Sequence, residues 1–264
     1  MNIFLYLDRD TWVHRLDPRT KMGGAVILFS LALCFNHPLF TGGIALGVLA
    51  FCAAGRALPN VRRFRYLLVL LFVFSASIWP FFAAGPTTWF SRGPLVVSRE
   101  SFLYGVAMGL RLDAFVMTGL LLLSTTRNEE LTNGLIRLGV PYPLAFAFST
   151  SLRLIPTLAG AGATIIQAQS ARGLDLESGN IFRRIGKFIP QAVPLFLYAV
   201  RYTNQLAIAL ESRGFSPGSK RTFYYEPRMG KSDWAVIAVM AAALAFALYL
   251  RVFLAVGVAI PGRM

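Results

Sequence analysis

The chain has 264 residues, 56% of them hydrophobic and only 14% charged, with a mean hydropathy of +0.58. Soluble domains carry about 25% charged residues, so this composition excludes an ordinary soluble enzyme and a disordered chain. Lys and Arg outnumber Asp and Glu by 26 to 12, a net charge of +14. In so apolar a chain that excess points to cytoplasmic loops facing anionic lipid, and not to nucleic acid. The two cysteines, Cys34 and Cys52, both lie in apolar runs and are too few for a disulfide scaffold or a zinc site.

Residues 1–21 mix Asp8, Asp10 and Asp17 with Arg9, Arg15, Arg19 and Lys21, a pattern unlike a cleaved signal peptide. Four apolar runs follow, at about 22–35, 39–54, 64–84 and 102–124, and a fifth covers Trp234–Gly257. About 20 apolar residues cross a bilayer. The last three runs meet that length. The first two, parted by Asn36-His37-Pro38, fall short; they span by local thinning or dip in and return as a hairpin, and we read them as short spans. Trp79, Trp89 and Trp234 stand at span edges as interfacial anchors would, and Trp12 precedes the first span.

Basic residues alternate between the connecting segments. Residues 1–21 hold four Lys or Arg, 55–65 hold Arg56, Arg62, Arg63 and Arg65, and 85–101 hold only Arg92 and Arg99. The segment 127–231 holds 13. The positive-inside rule then puts the N-terminus, 55–65 and 127–231 in the cytoplasm, and 36–38, 85–101 and the C-terminus outside.

Within the fourth run, Arg111 and Asp113 are ionisable groups where such groups are costly and often functional. Two apart on a helix, they point different ways. Structural satisfaction near a wet interface is the reading set against a transport role. Gly43/Gly47 and Gly105/Gly109 have the G-x-x-x-G spacing that lets helices approach closely, and Ala243/Ala247 repeat it. Packing within the chain competes there with a sliding contact to another membrane subunit.

The expected organisation is a membrane region over 1–126, a helical region over 127–231 and a last span over 232–264. The middle region is too long for an unstructured loop. It reads as helices broken at Pro141, Pro143, Pro156, Pro190 and Pro194, lying in or near the inner interface. Two of these helices end alike, in Ala171-Arg172-Gly173 and Ser212-Arg213-Gly214. In each, glycine stands where a left-handed cap stops a helix. Four and seven residues behind Arg172 are Ala168 and Ile165, and behind Arg213 are Ala209 and Leu206, so each arginine tips a slim apolar stripe. A cation near a helix C-terminus is a common favourable feature. The sharper reading makes each arginine a plug whose planar fork binds a carboxylate on a partner.

At these residues the chain resembles the transmembrane component of energy-coupling factor (ECF) importers, whose two cytoplasmic coupling helices end in an Ala-Arg-Gly-like motif. Ala171-Arg172-Gly173 matches outright, and Ser212-Arg213-Gly214 has Ser for Ala. His14-Arg15-Leu16-Asp17-Pro18-Arg19-Thr20-Lys21 is similar to the family's approach to its first span. Leu123-Ser124-Thr125-Thr126 with Glu130-Leu131 is similar to its join to the coupling region, and Leu152-Arg153-Leu154-Ile155-Pro156 to the stretch ahead of its first coupling helix. The resemblance implies an all-α membrane protein of about five spans in the plasma membrane, itself not an enzyme and without a cofactor or metal of its own. It also implies partners: two ABC ATPase subunits that bind ATP, each taking one of Arg172 and Arg213, and a substrate-binding membrane subunit for a vitamin or metal. Arg111, Asp113, Arg153 and Pro156 are candidates for structural or coupling roles.

The residues themselves agree that ATP binds elsewhere. Gly186-Lys187 is followed by Phe188 and has Ile181 at the position of the upstream glycine, so there is no G-x-x-x-x-G-K-[ST] loop. A conventional ABC permease would carry a different coupling signature, whose spacing Gly173 and Ile189-Pro190 do not meet. An intramembrane lipid-phosphate enzyme could use Phe215–Arg221 as a phosphate loop, yet the spans supply one acid, Asp113, and His37 sits in a loop. His14 and His37 are isolated, and Asp175 and Glu177 read as solvating residues.

Overall fold

The computed structural model describes residues 6–82, 87–92, 95–174, 181–215 and 229–253. Asp175, Glu177, most of Phe215–Arg221 and the end of the last apolar run lie outside the described residues, as does the Trp89 side chain. The chain forms two compact units: Met1–Leu138 with Pro227–Met264, and Gly139–Glu226.

In the first unit, α1 (Pro18–Cys34) and α2 (Pro38–Ala54) are the two short apolar helices. α1 begins four residues earlier than the apolar run, because Asp17 caps it: its Oδ1 accepts from the Arg19 amide at 2.9 Å, and Pro18 suits the first turn. Lys21 therefore lies inside the helix and not in a polar flank. His37 caps α2 in the same manner, with Pro38 next. A short α3 (Leu58–Arg63) turns the chain into α4 (Arg65–Phe82). The segment 85–101 between the spans holds an antiparallel hairpin of β1 (Thr88–Arg92) and β2 (Leu95–Ser98). α5 (Arg99–Thr125), α6 (Asn128–Arg137) and α9 (Lys231–Phe253) complete the unit.

The core joins α1, α2, α3 and α5 through Ala32, Ala45, Val48, Cys52, Ala57, Val61, Ala114 and Met117. Small residues at these crossings bring backbones close. Gly105 and Gly109 of α5 lie on α4: a Cβ on Gly109 would meet the Phe72 carbonyl oxygen at 3.1 Å, and one on Gly105 the Ala76 oxygen at 3.3 Å. Pro80, inside α4, removes the amide that the Ala76 carbonyl would bind, so this approach is at the loosened turn. That glycine pair packs within the chain. Gly43 and Gly47 face open space, where a Cβ would meet nothing within 4 Å. Trp79 is edge-on to Tyr104 at 5.2 Å and half-buried, while Trp12 and Trp234 are exposed.

α4, α5, α7 (Tyr142–Ala171) and α9 are long and apolar enough to cross a bilayer, and α2 is a shorter apolar helix. Leu39, Leu46, Tyr66, Val69, Leu70, Phe74, Phe82 and Val239 all face outward. A water-soluble protein does not expose apolar surface on that scale. The fold is that of an all-α membrane protein with about five spans, and α7 meets the length and apolarity of a span although sequence places it in the coupling region.

In the second unit, α7 packs on α8 (Ile181–Ser212). Pro141 and Pro143 stand at the start of α7, as expected of helix breakers. Pro156, Pro190 and Pro194 do not break their helices; each lies inside one. A proline leaves the carbonyl four residues back without its amide. For Pro194 that carbonyl is Pro190's, and Gln169 Nε2 of α7 donates to it at 3.5 Å. The vacancy left by one proline thus becomes a contact between helices.

Arg111 sits well inside α5, half-buried, and its guanidinium is satisfied within the chain. Its Nε donates to the Ala32 carbonyl at 2.8 Å, and Nη2 to the Phe35 carbonyl at 2.6 Å and to Asn36 Oδ1. Arg251 of α9 donates to the carbonyl of Cys34. Two guanidiniums therefore satisfy the open C-terminal end of α1. Arg111→Met is expected to lower stability in detergent by about 2–3 kcal/mol, since it strands buried acceptors. Arg111→Lys should restore only part, lacking the fork. Denaturation midpoints measure both, and an unchanged midpoint for Arg111→Met would show that other donors reach these carbonyls.

Candidate functional site

The two arginine-tipped ends both lie in the second unit, and each closes with the same hydrogen bonds. At the end of α7, the Gly173 amide donates to the Ser170 carbonyl and the Leu174 amide to the Gln169 carbonyl, both at 3.0 Å. At the end of α8, the Gly214 amide donates to Glu211 at 2.9 Å and the Phe215 amide to Leu210 at 2.9 Å. This is the Schellman pattern, and it needs a left-handed residue after the cap. Gly173 has φ +91° and Gly214 φ +75°. Arg172 and Arg213 are the cap residues before these glycines, and both are exposed.

Behind each arginine the stripes match. Ile165 and Leu206 are half-buried, whereas Ala168, Ala209, Ala171 and Ser212 are exposed. Among the described residues no carboxylate pairs with either guanidinium. Each end therefore offers a fixed backbone stop, a small-residue flank and an always-charged fork.

The helix pair keeps the two ends apart. Phe215, just past α8, packs its ring on Phe146 at 4.9 Å and on Tyr142 at 6.4 Å, near the start of α7. Gln169, near the end of α7, meets Pro190 early in α8. The helices are thus antiparallel, with Arg172 beside the Pro190 turn and Arg213 at the far end. At 1.5 Å per residue along α8, the separation is on the order of 30 Å. Neither arginine shares a socket with the other. Arg153 is exposed on α7 and Pro156 is half-buried within it. Asp113 is half-buried with a buried Oδ1 that has no partner among the described residues, and nothing in the structure explains it.

A second constellation, in the first unit, joins residues that sequence did not bring together. Lys21 Nζ is buried and donates to the carbonyls of His14 and Thr125, each at 2.8 Å, with Glu130 Oε2 at 3.6 Å. Asp233 Oδ1 accepts from the Asp17 amide at 2.8 Å, and its Oδ2 from the Gly230 amide at 2.9 Å. The His14 Nε2 faces the Leu7 carbonyl at 3.1 Å, so it donates, and Nδ1 accepts from Thr11 Oγ1 at 2.7 Å. Burial holds the His14 pKa below its usual value, favouring this neutral form. The motif before the first span and the motif after α5 therefore meet in one polar knot. The local signal was charge at the edge of an apolar run; the partners are too distant in sequence for pattern to pair them.

A family model described as CbiQ, cobalt transport protein, matches residues 9–225. The energy-coupling factor transporter transmembrane protein EcfT of Acidaminococcus fermentans is 33% identical over 258 residues, covering 93% of this chain and 95% of that protein. The EcfT proteins of Thermanaerovibrio acidaminovorans and Lacticaseibacillus paracasei are 34% and 29% identical, each over 93% of this chain. On the extent of the model match and the identity to near-full-length relatives, the chain belongs to the CbiQ/EcfT family of transmembrane components of energy-coupling factor transporters.

Proposed function

We propose that this chain couples ATP hydrolysis in two partner ABC ATPase subunits to the movement of a substrate-binding membrane subunit. Arg172 docks in one ATPase and Arg213 in the other. The observation that carries the reading is the pair of matching capped ends, each with an exposed guanidinium, on two antiparallel helices and on the order of 30 Å apart. One partner pocket cannot hold both. Two like subunits, each with one acidic groove, can.

α7 has the length of a span, but its final turns carry exposed Gln167, Ser170 and Arg172, and the sequence of α8 includes Arg183, Arg184, Lys187 and Arg201. Polar groups in that density support a place at the inner interface over one in the hydrocarbon. The basic segments put that interface, and the N-terminus, on the cytoplasmic side. ATP belongs to the partners, since this chain has no phosphate loop. The cargo is a vitamin or metal ion chosen by the substrate-binding subunit. The matching family model names cobalt, and the relatives' names specify no cargo.

Removing a charge from a buried interface typically costs about 2–5 kcal/mol. Arg172→Ala and Arg213→Ala are each expected to weaken capture of ATPase subunits from native membranes strongly, and the double change to abolish it. Lys at either place should rescue in part. Wild-type capture and uptake by both Ala variants would sink the docking reading.

The caps themselves can be tested separately. Gly173→Ala and Gly214→Ala force a side chain into the left-handed region at a cost of about 1–2 kcal/mol. ATPase affinity should fall by roughly ten-fold at each, with the arginine still present. Quantitative pull-down against the Arg→Ala variants separates loss of aim from loss of charge.

A further inference from the structure

We propose that α6 is a clamp that fixes the start of the coupling helices to the first turns of α1, with Lys21, Glu130 and Gly134 as its positioning residues. This rests on the coupling reading above and identifies the route by which motion of α7 would enter the membrane unit.

Three observations place the clamp. Lys21 is a cation with almost no exposed side chain, hydrogen-bonded to the His14 carbonyl before α1 and the Thr125 carbonyl ending α5, and ion-paired at 3.6 Å with the Glu130 carboxylate of α6. One ammonium thus ties three segments, two by hydrogen bonds and one by charge. One turn on, Gly134 lies on the same face as Glu130. A Cβ there would meet Pro18 Cβ and Met22 Sδ, both at 3.1 Å, so any larger residue would push α6 away from α1 by a few tenths of an ångström or more. Leu131 and Thr132 of α6 are also buried. The link from α6 to α7 is then only Leu138–Pro141, turned by Gly139 at φ +99°. A displacement imposed on α7 reaches a clamped helix within four residues. There it meets α1, whose far end is gripped by Arg111 and Arg251.

A short helix held by one surface pair would merely tilt when pulled. Held by a buried cation and by close packing at Gly134, it moves with α1 as one body. The clamp therefore predicts a specific defect. Loosening it should leave the ATPases bound and working while their motion no longer enters α1.

The test uses the full complex with its ATPase subunits in nanodiscs, read by hydrogen exchange with and without Mg-ATP and vanadate. In the unaltered protein the nucleotide should change exchange in α7, in α6 and in the first turns of α1. In Glu130→Gln with Gly134→Leu, the nucleotide-dependent change should persist in α7 and vanish in α1. ATP hydrolysis and assembly should stay within about two-fold of wild type, against the 5-fold or larger effects typical of lost coupling. A purely structural role would raise α1 exchange equally with and without nucleotide. The converse variant, Pro18→Cys with Gly134→Cys, needs only a small shift to reach disulfide spacing, and its cross-linked form should keep the α1 response. The clamp is overturned by any of four results: a persisting α1 response in the loosened protein, a response and hydrolysis that fall together, a loosened complex that does not assemble, or a cross-linked form that loses the response. No α1 response in the unaltered protein overturns it as well. The coupling reading fails on different evidence, namely ATPase subunits that bind regardless of Arg172 and Arg213.

Discussion

A helix that stops inside or at the edge of a bilayer leaves carbonyls that water cannot reach, and this chain answers with cations from neighbouring helices. α1 has 17 residues, fewer than the about 20 that cross a bilayer with ease. Its terminal carbonyls at Ala32, Cys34 and Phe35 instead receive Arg111 from α5 and Arg251 from α9. At the end of α5 the roles reverse. The last carbonyls of α5, at Ser124 and Thr125, receive the Leu7 amide and the Lys21 ammonium, the latter from α1. Each of these helices thus caps the other, α5 at the end of α1 and α1 at the end of α5. The charged residues that looked expensive in the apolar runs are the donors the short helices require. Neutral replacements would remove that cost and strand the acceptors, which costs more.

The same problem has a different answer in the second unit. The ends of α7 and α8 close on themselves through glycine caps, so their arginines are not consumed in satisfying carbonyls. That division of labour separates the buried arginines from the exposed ones. Arg111 and Arg251 spend their donors within the chain. Arg172 and Arg213 hold theirs outward, on ends whose backbone is already complete. An exposed arginine whose helix does not need it is better placed to serve a partner than one that must leave its own carbonyls to do so.

Much of this was legible in sequence because the signals are local. Apolar runs located α2, α4, α5 and α9, though not α7, which has the length and apolarity of a span, and Arg-Gly at two helix ends announced left-handed caps that the torsion angles at Gly173 and Gly214 show. The glycine pair at Gly105 and Gly109 marked a close crossing, though not its partner, α4. Where the reading failed, a local rule met a tertiary one. Prolines predicted breaks, but Pro190 and Pro194 sit within α8, one freed carbonyl taking Gln169 from α7. Lys21 read as part of a basic flank, because nothing near it in sequence shows that Asp17 starts the helix early enough to bury it. Its partners at Thr125 and Glu130 lie more than a hundred residues away, beyond any periodicity. The hairpin in 85–101 was missed because its residues have the composition of a loop between spans.

The antiparallel arrangement of α7 and α8 has a mechanical consequence under the proposed function. If separate subunits hold the two capped ends, closure of those subunits shortens a distance that two packed helices resist shortening along their axes. The pair must then rotate at its crossing or bend at its prolines. The crossing is fastened by ring contacts at the Phe215 end and by the Gln169 bond to the Pro190 carbonyl at the other. That carbonyl has no intrahelical partner because Pro194 has no amide to offer it. A bend at this turn breaks no intrahelical bond there, whereas a regular helix would have to break its own bond first. Proline inside a coupling helix therefore does not weaken the lever at random: it selects where the lever yields and supplies the contact that holds it there.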